Sequence, residues 1–169
     1  MICCLDLEGV LIPEIWINVA KKTKLKALEI TTRDEPDYDK LMRYRLAILK
    51  REGIRLRDIQ AVIKRMSPLP GAKSFLKDLR RRYQVVILSD TFYEFAGPMM
   101  EKLGHPTLFC NWLSTDAKGF ISHYYLRQKN GKKEAVRAIK GLGFNVVAAG
   151  DSYNDIFMLQ TADRGILFR

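Results

Sequence analysis

Short runs of apolar residues alternate with segments of helical spacing along most of the chain. Apolar residues three or four positions apart share one helical face, and this pattern is clear over 71–83 and 132–142. Such alternation predicts a parallel α/β sheet in which helices connect the strands. Residues 112–128 alternate weakly around Lys118 and Gly119, which predicts a hairpin. The apolar runs that we interpret as strands are 2–5, 85–88, 107–110, 146–149 and 166–168.

The interval between the first two strands departs from this alternation. It is far longer than the roughly dozen residues that one crossover needs. Residues 13–68 are mostly helical in pattern, with an interruption at 31–39, and prolines flank them. We therefore predict an α/β core of residues 1–12 and 69–169, with a small helical cap of residues 13–68 inserted after the first strand. A cap there would lie over the edge at which open α/β folds bind ligands.

Composition and charge exclude several classes of protein. Apolar residues make up 47% of the 169, but no apolar run approaches the roughly 20 residues that span a bilayer. The N-terminus lacks the features of a secretion signal, so we expect a cytoplasmic protein with no membrane partner. The net charge of +10 is divided evenly along the chain, and we expect no nucleic-acid partner. Cys3, Cys4 and Cys110 lie in apolar runs and are expected to be reduced core residues.

Polar residues that could carry chemistry follow several of the predicted strands. Asp6 and Glu8 follow the first strand, and like charges so close raise each other's pKa unless a cation or a proton relieves the repulsion. Turn formation or helix capping is the other explanation for this pair. Because the carboxyl ends of parallel strands meet at one edge, these residues should converge with those that follow other strands. The others are Ser89, Asp90 and Thr91 after the second strand, and Asp151, Asn154 and Asp155 after the fourth.

These residue types suit phosphoryl transfer. An aspartate can act as nucleophile and form an aspartyl-phosphate, and a hydroxyl such as that of Ser89 can bind a phosphoryl oxygen. A lysine can neutralise the phosphoryl charge, and Lys129, Lys132 and Lys133 all lie near the start of one predicted helix. Each of these side chains could instead be a helix cap or a solvent-facing charge. The carboxylates that would together fit Mg²⁺, the usual partner of phosphates, are Asp6, Glu8, Asp151 and Asp155.

Arg45 is unusual within the predicted cap. On a helical wheel it falls in the middle of an apolar arc, whereas Arg43 falls on the opposite side. One explanation is that Arg45 snorkels or pairs with a structural acid. The other is that its planar fork binds a substrate carboxylate.

The motifs resemble, in order and spacing, those of the haloacid dehalogenase superfamily of phosphohydrolases over almost the whole chain. Residues 6–10 are similar to its first motif, Ser89 to the second, Lys132 to the third and residues 150–155 to the fourth. The resemblance is greatest to the phosphoserine phosphatases, and among them to the bifunctional branch that also transfers the phosphoryl group to homoserine. The segments that resemble this branch are 31–34, 36–39, 88–95 and 126–129.

The resemblance implies a Rossmann-like parallel sheet and a Mg²⁺-dependent phosphoserine phosphatase. Asp6 would be the nucleophile and would hold the metal with Asp151 and the carbonyl of Glu8. Glu8, where most of the superfamily has Asp, would be the general acid and base, and this departure fits the transferase branch. Further implied roles are phosphoryl binding by Ser89 and Lys132, support of the metal site by Asn154 and Asp155, and binding of the substrate's carboxylate by Arg45 and of its ammonium group by Glu14. Asp90, Thr91 and Asn154 are expected to contact the substrate as well.

Several alternatives stay open. The substrate could be another small phosphate ester or a nucleotide, or the chain could be a catalytically impaired binding module. The family continues with a further strand and helix beyond Arg169, so we expect an exposed sheet edge there, which a homodimer could cover. Among the three lysines, the distance to the following strand favours Lys132.

Overall fold

The computed structural model describes residues 1–32 and 34–168. Arg33, which belongs to the segment 31–34, and Arg169 lie outside the described residues. The strands are β1 (Ile2–Leu5), β2 (Gln84–Phe92), β3 (Thr107–Thr115), β4 (Ile121–Tyr125), β5 (Val146–Gly150) and β6 (Arg164–Leu167). They form one sheet in the order β4-β3-β2-β1-β5-β6, in which every neighbouring pair is parallel except β3 and β4. The α/β fold predicted from the sequence is therefore confirmed.

Helices connect the strands in the described part of the chain, except β3 and β4. Between β1 and β2 lie α1 (Ile15–Thr23), a 3-10 turn (Lys26–Leu28), α2 (Tyr38–Arg51) and α3 (Leu56–Arg65), so the predicted helical insertion is confirmed. Its boundaries as a separate cap, residues 13–68, stay a prediction. The predicted helices over 71–83 and 132–142 are α4 (Ala72–Arg82) and α6 (Gly131–Gly141). The hydrophobic pattern did not predict α5 (Tyr93–Lys102) or α7 (Ile156–Thr161). Helix α5 contains Pro98, which is unfavourable within a helix.

The predicted hairpin over 112–128 corresponds to β3 and β4, which pair antiparallel. The hairpin also contacts the inserted helices. The backbone N–H of Leu56 donates to the carbonyl of Gly119 at 3.0 Å, and the hydroxyl of Tyr124 donates to Asp39 on α2. The inserted segment is thus also hydrogen-bonded to the β3–β4 hairpin.

The centre of the sheet is covered on both faces. Residues Cys3, Cys4 and Leu5 of β1 are all buried, which explains why this strand is a continuous apolar run without alternation. Cys3, Cys4 and Cys110 are buried and outside any disulfide, as predicted. Among the helices of the described residues, none combines the length and the apolar character that crossing a bilayer requires.

Candidate active site

A cavity of about 400 Å³ lies at the carboxyl ends of the central strands. Because β2, β1 and β5 are neighbours in the sheet, the residues that follow β1 and β5 meet residues 89–91, near the end of β2, at this edge. Helices α1 and α2 provide further wall residues. Asp155 is the one predicted site residue that does not line the cavity, and it is fully buried. The predicted residues that line it are Asp6, Glu8, Glu14, Arg45, Ser89, Asp90, Thr91, Lys132, Asp151 and Asn154.

Lys132, in the first turn of α6, reaches the carboxylates of the cavity. Its Nζ lies 2.7 Å from Asp155 Oδ1, 2.9 Å from Asp6 Oδ1 and 3.6 Å from Asp90 Oδ2. Burial lowers the pKa of Lys132, but the three carboxylates outweigh it and the net shift is upward. The ammonium group is therefore a fixed positive charge inside the site.

The other two lysines considered from the sequence lie elsewhere. Lys129 is exposed, and the ammonium group of Lys133 lies 5.8 Å from the ring centroid of Phe157. The geometry therefore brings Lys132, and not its neighbours, to the carboxylates.

Asp6, Asp151 and Asp155 form a carboxylate cluster whose ligand oxygens lie within 4.8 Å of one another. Oxygen donors at this spacing suit a hard divalent cation. Both oxygens of Asp155 already accept hydrogen bonds: Oδ1 from Lys132, and Oδ2 from the backbone N–H and the hydroxyl of Ser152, each at 3.0 Å. Through these hydrogen bonds Asp155 connects Lys132 to the loop that contains Asp151 and Ser152.

The carboxylate of Glu8 lies outside this cluster, at the start of α1. Its Oε2 accepts the backbone N–H of Ile15 at 2.7 Å, which satisfies one of the donors that a helix leaves free in its first turn. The metal contact expected of Glu8, through its backbone carbonyl, stays a prediction. Burial raises the pKa of Glu8 to about 8, and the charge of Glu14 adds to this effect. A carboxyl group that keeps its proton can serve as a general acid.

Burial also dominates the ionisation of Asp6. It raises the pKa of Asp6 to about 7; the charge of Lys132 opposes the shift and that of Asp155 adds to it. The repulsion between Asp6 and Glu8 expected from the sequence is a smaller contribution, because burial is the largest cause for both groups. A cation beside Asp6 would lower its pKa, since an opposite charge favours the carboxylate.

Two glycines allow the carboxylates to pack directly against backbone. Gly9 has φ of +79°, in the left-handed region, and a Cβ there would lie 2.2 Å from Oδ2 of Asp151. A Cβ at Gly150 would lie 2.4 Å from Cγ of Asp155. Neither position has room for a larger residue while these carboxylates keep their places.

Ser89 lies where β2 bulges away from β3. The two strands pair regularly up to Leu88 and resume at Phe92, and β2 has three residues in this interval where β3 has one. The extra residues leave the ladder, as in a β-bulge. The hydroxyl of Ser89 accepts the N–H of Thr91 at 3.3 Å, and both residues are buried in the cavity wall. We call residues Ser89, Asp90 and Thr91 the bulge loop.

Arg45 is buried in the wall formed by α2, with 6% of its surface exposed. Its Nη2 donates to the carbonyl of Ile30 at 2.6 Å, and its Cζ lies 4.5 Å from the ring centroid of Trp16. In the described part of the chain, its Nε is buried with no hydrogen-bond partner. Burial lowers the pKa of Arg45 to about 10, so the group stays charged at neutral pH. A charged donor without a partner indicates a place for an anionic acceptor.

Side chains of the inserted segment also meet the core at this cavity. Tyr38 donates from its hydroxyl to the carbonyl of Asp90 at 3.2 Å, and Nδ2 of Asn154 donates to Oγ1 of Thr32 at 3.0 Å. Tyr38 and Arg45 are seven residues apart in α2, which places them on the same helix face. From this spacing, Tyr38 could have been predicted to lie in the same wall as Arg45. The wall residues that sequence analysis did not predict include Trp16, Thr32 and Tyr38.

Comparison with known sequences identifies the family. The family model for haloacid dehalogenase-like hydrolases matches residues 1–163. Two curated proteins are each 58% identical to the chain over 167 residues, which is 99% of its length. One is a phosphoserine phosphatase of Pseudomonas syringae pv. tomato, of which the chain covers 70%, and the other is phosphoserine phosphatase ThrH of Pseudomonas aeruginosa, of which it covers 82%.

Solved structures agree with this assignment. A phosphoserine phosphatase with an analogue of the phospho-aspartyl intermediate has a TM-score of 0.81 and 25% identity, over 99% of this chain and 85% of that one. A substrate-bound phosphoserine phosphatase complex has the same TM-score and coverage at 24% identity, which shows the common fold. The resemblance that the motifs indicated is thereby confirmed, and the chain belongs to the haloacid dehalogenase-like hydrolases.

Proposed function

We propose that this chain is a Mg²⁺-dependent phosphoserine phosphatase that acts through an aspartyl-phosphate at Asp6. The observation that carries the proposal is Arg45, whose buried Nε lacks a partner in the described residues and which lines the same cavity as Asp6 and Lys132. A buried donor without a partner is costly unless a ligand satisfies it. A small molecule with a carboxylate at one end and a phosphoryl group at the other would satisfy Arg45 and Lys132 together. The two relatives named as phosphoserine phosphatases support the same substrate.

The remaining wall residues suit the other groups of phosphoserine. Glu14 lines the cavity with Arg45, so its carboxylate can bind the substrate's ammonium group while Arg45 binds the carboxylate. At the other end, the hydroxyl of Ser89 and the ammonium group of Lys132 would hold the phosphoryl oxygens. An amino acid phosphate would therefore be bound at three charged positions.

The carboxylates that follow β1 and β5 suit a divalent cation. These three carboxylates place oxygens within 4.8 Å of one another, and Asp151 packs against Gly9, where a Cβ would not fit. In our proposal Asp6, Asp151 and the carbonyl of Glu8 would hold Mg²⁺, and Asp155 would support them through Lys132 and Ser152. The bound ion would neutralise charge on the phosphoryl group and orient it toward Asp6.

The first half of the reaction transfers the phosphoryl group to the protein. Asp6 attacks phosphorus through its carboxylate, which is oriented because Oδ1 accepts the N–H of Leu7 at 2.7 Å and lies 2.9 Å from Nζ of Lys132. The bond between phosphorus and the serine oxygen breaks, and Glu8 gives its proton to that oxygen. Serine leaves, and Asp6 carries the phosphoryl group as an acyl phosphate.

The second half returns Asp6 to its free form. The Glu8 carboxylate takes a proton from the attacking hydroxyl, whose oxygen bonds to phosphorus as the bond to Asp6 breaks. With water the product is inorganic phosphate. With homoserine, which shares the carboxylate and ammonium groups that Arg45 and Glu14 would bind, the product is phosphohomoserine. Glu8 is protonated again at the end of either route.

Phosphate release from phosphoserine is expected with Mg²⁺ and should fall by at least about 100-fold in excess EDTA, because without a cation the carboxylate cluster repels the phosphoryl dianion. The measurement is a panel of phosphoserine, phosphothreonine, a nucleoside monophosphate and p-nitrophenyl phosphate, with and without Mg²⁺. Phosphoserine is also assayed with homoserine, and phosphohomoserine is sought by mass spectrometry. No Mg²⁺-dependent turnover of any ester would overturn the proposal, and a strong preference for the nucleotide would favour the alternative of another small-molecule phosphatase.

Arg45→Ala is expected to raise the KM for phosphoserine by about 10- to 100-fold, because it removes charge-assisted hydrogen bonds to the substrate carboxylate. Kinetics on p-nitrophenyl phosphate, which has no carboxylate, should change by less than about threefold. Arg43→Ala is the matched control, since Arg43 lies on the exposed side of the same helix and pairs with Asp39. Equal losses on both substrates would show that Arg45 has a structural role only.

The homodimer expected from the sequence stays a prediction. All four residues of β6, at one end of the strand order, are exposed, and they include Ile166 and Leu167. Sedimentation velocity would show whether two copies associate.

A further inference from the structure

The bulge loop has lost its regular pairing with β3 and needs other contacts to hold its backbone. All three of its residues line the cavity in which we place the phosphoryl group, so small changes of its orientation would alter the reaction. A carbonyl that leaves a ladder needs another donor, from the protein or from water. The carbonyl of Asp90 has two such donors, one from the core and one from the inserted segment.

The donor from the core is Asn111 on β3. Its Nδ2 donates to the carbonyl of Asp90 at 3.1 Å, while its Oδ1 accepts the N–H of Arg127 at 3.0 Å. The amide is therefore fixed in one orientation, and it is buried beside the bulge loop. Asn111 thus replaces the ladder bond that the bulge removes.

The donor from the inserted segment is Tyr38, the first residue of α2. Its hydroxyl donates to the carbonyl of Asp90 at 3.2 Å, and its ring packs edge-on against Tyr124 with centroids 6.0 Å apart. Arg45 lies two turns further along the same helix. A substrate carboxylate bound at Arg45 would therefore hold the helix that supports the bulge loop.

We propose that Tyr38 is a positioning residue for phosphoryl transfer, which acts by holding the carbonyl of Asp90 and with it the bulge loop. It supports the loop from the inserted helix, whereas Asn111 supports it from the sheet. This inference rests on the proposed function, because it assigns phosphoryl binding to the bulge loop. It concerns the rate of the chemical step and not the affinity for the substrate.

Tyr38→Phe removes the donated hydrogen bond and keeps the ring. We expect kcat to fall about five- to tenfold on phosphoserine and on p-nitrophenyl phosphate alike, because both substrates place their phosphoryl group against the bulge loop. The KM for phosphoserine should change by less than about twofold. Arg45→Ala has the opposite signature, since it affects the KM of the carboxylate-bearing substrate alone.

Tyr124→Phe is the matched control. It removes the hydroxyl of the neighbouring tyrosine, which also joins the inserted segment to the core but contacts Asp39 and not Asp90. Its kcat should stay within about twofold of the wild-type value. A general loosening of the inserted segment would instead affect both tyrosine variants equally.

Amide hydrogen exchange by mass spectrometry gives a readout that does not depend on activity. Peptides covering residues 88–96 should exchange faster in Tyr38→Phe than in Tyr124→Phe or the wild type. Unchanged exchange, an unchanged kcat or an effect confined to the KM of phosphoserine would each overturn the inference. If the wild-type protein hydrolysed no phosphate ester, the proposed function would fall, and exchange alone would decide whether Tyr38 holds the loop.

Discussion

Replacing Asp6 by asparagine is expected to lower turnover of every phosphate ester by about 10⁴-fold or more, because an amide cannot form the acyl phosphate. The fold should survive, since Lys132 keeps its contacts with Asp155 and Asp90. Burial raises the pKa of Asp6, so the ionised group is unfavourable in the fold without a cation. In metal-free buffer above pH 8, Asp6→Asn should therefore be no less stable than the wild type.

Rapid quenching with radiolabelled phosphoserine is the direct measurement. The wild-type protein should carry a label that hydroxylamine releases, as an acyl phosphate does, and Asp6→Asn should carry none. Asp78→Asn, a surface change on α4, controls for the loss of one negative charge. Labelling of Asp6→Asn at the wild-type level would place the nucleophile at another residue.

Replacing Lys132 by methionine is expected to damage both stability and activity. It leaves Asp6 and Asp155 buried without their shared counter-charge, and removal of one partner from a buried ion pair typically costs about 3–5 kcal/mol. Turnover of the folded fraction should fall by about 100- to 1000-fold, because a charge that stabilises the phosphoryl oxygens is lost. Urea denaturation gives the free energy of unfolding, and assays at low temperature keep the variant folded.

Lys133→Met is the control for this change. Lys133 is the next residue of α6, and its ammonium group lies near Phe157, away from the carboxylate cluster. Its free energy of unfolding and its kcat should match those of the wild type. If the two methionine variants unfolded at the same urea concentration, the buried charges around Lys132 would not depend on that residue.

The α/β sheet was predictable because its central strands are short apolar runs buried on both faces, and such runs differ sharply from the helices between them. β2 shows the limit of that approach. Its predicted end was residue 88, whereas the strand continues to Phe92 beyond the polar bulge loop. A hydrophobic pattern cannot show that a strand resumes after a bulge, because the bulge is defined by the pairing partner.

The convergence of site residues was predictable from topology alone. Asp6, Ser89 and Asp151 meet because parallel strands present their carboxyl ends at one edge. The contacts from the inserted segment were not predictable in this way. A helical wheel places Arg45 on an inward face, but it cannot show that Trp16 stacks on it or that Tyr38 reaches Asp90. Those contacts depend on how the insertion packs against the core.

The main cause of the raised pKa values of Asp6 and Glu8 also could not be predicted from the sequence. Their spacing in the sequence suggested mutual repulsion, yet Glu8 turns toward Ile15 at the start of α1 while Asp6 turns toward Lys132. Burial is then the main cause of both raised pKa values. The sequence places the two carboxyl groups two residues apart, but the directions of the side chains give them separate environments.

Gly9 and Gly150 have a consequence for how this chain can diverge. A Cβ at either position would clash with a carboxylate of the cluster, so these two positions near the proposed nucleophile admit only glycine while the carboxylates keep their places. The wall around Arg45, by contrast, is built from side chains of the inserted segment, and apart from Tyr38 and Thr32, which are hydrogen-bonded to the core, these can be exchanged without losing a hydrogen bond to Asp90 or Asn154. New substrate preferences can thus arise by substitutions in one stretch of the chain, while the reaction chemistry is inherited unchanged from another.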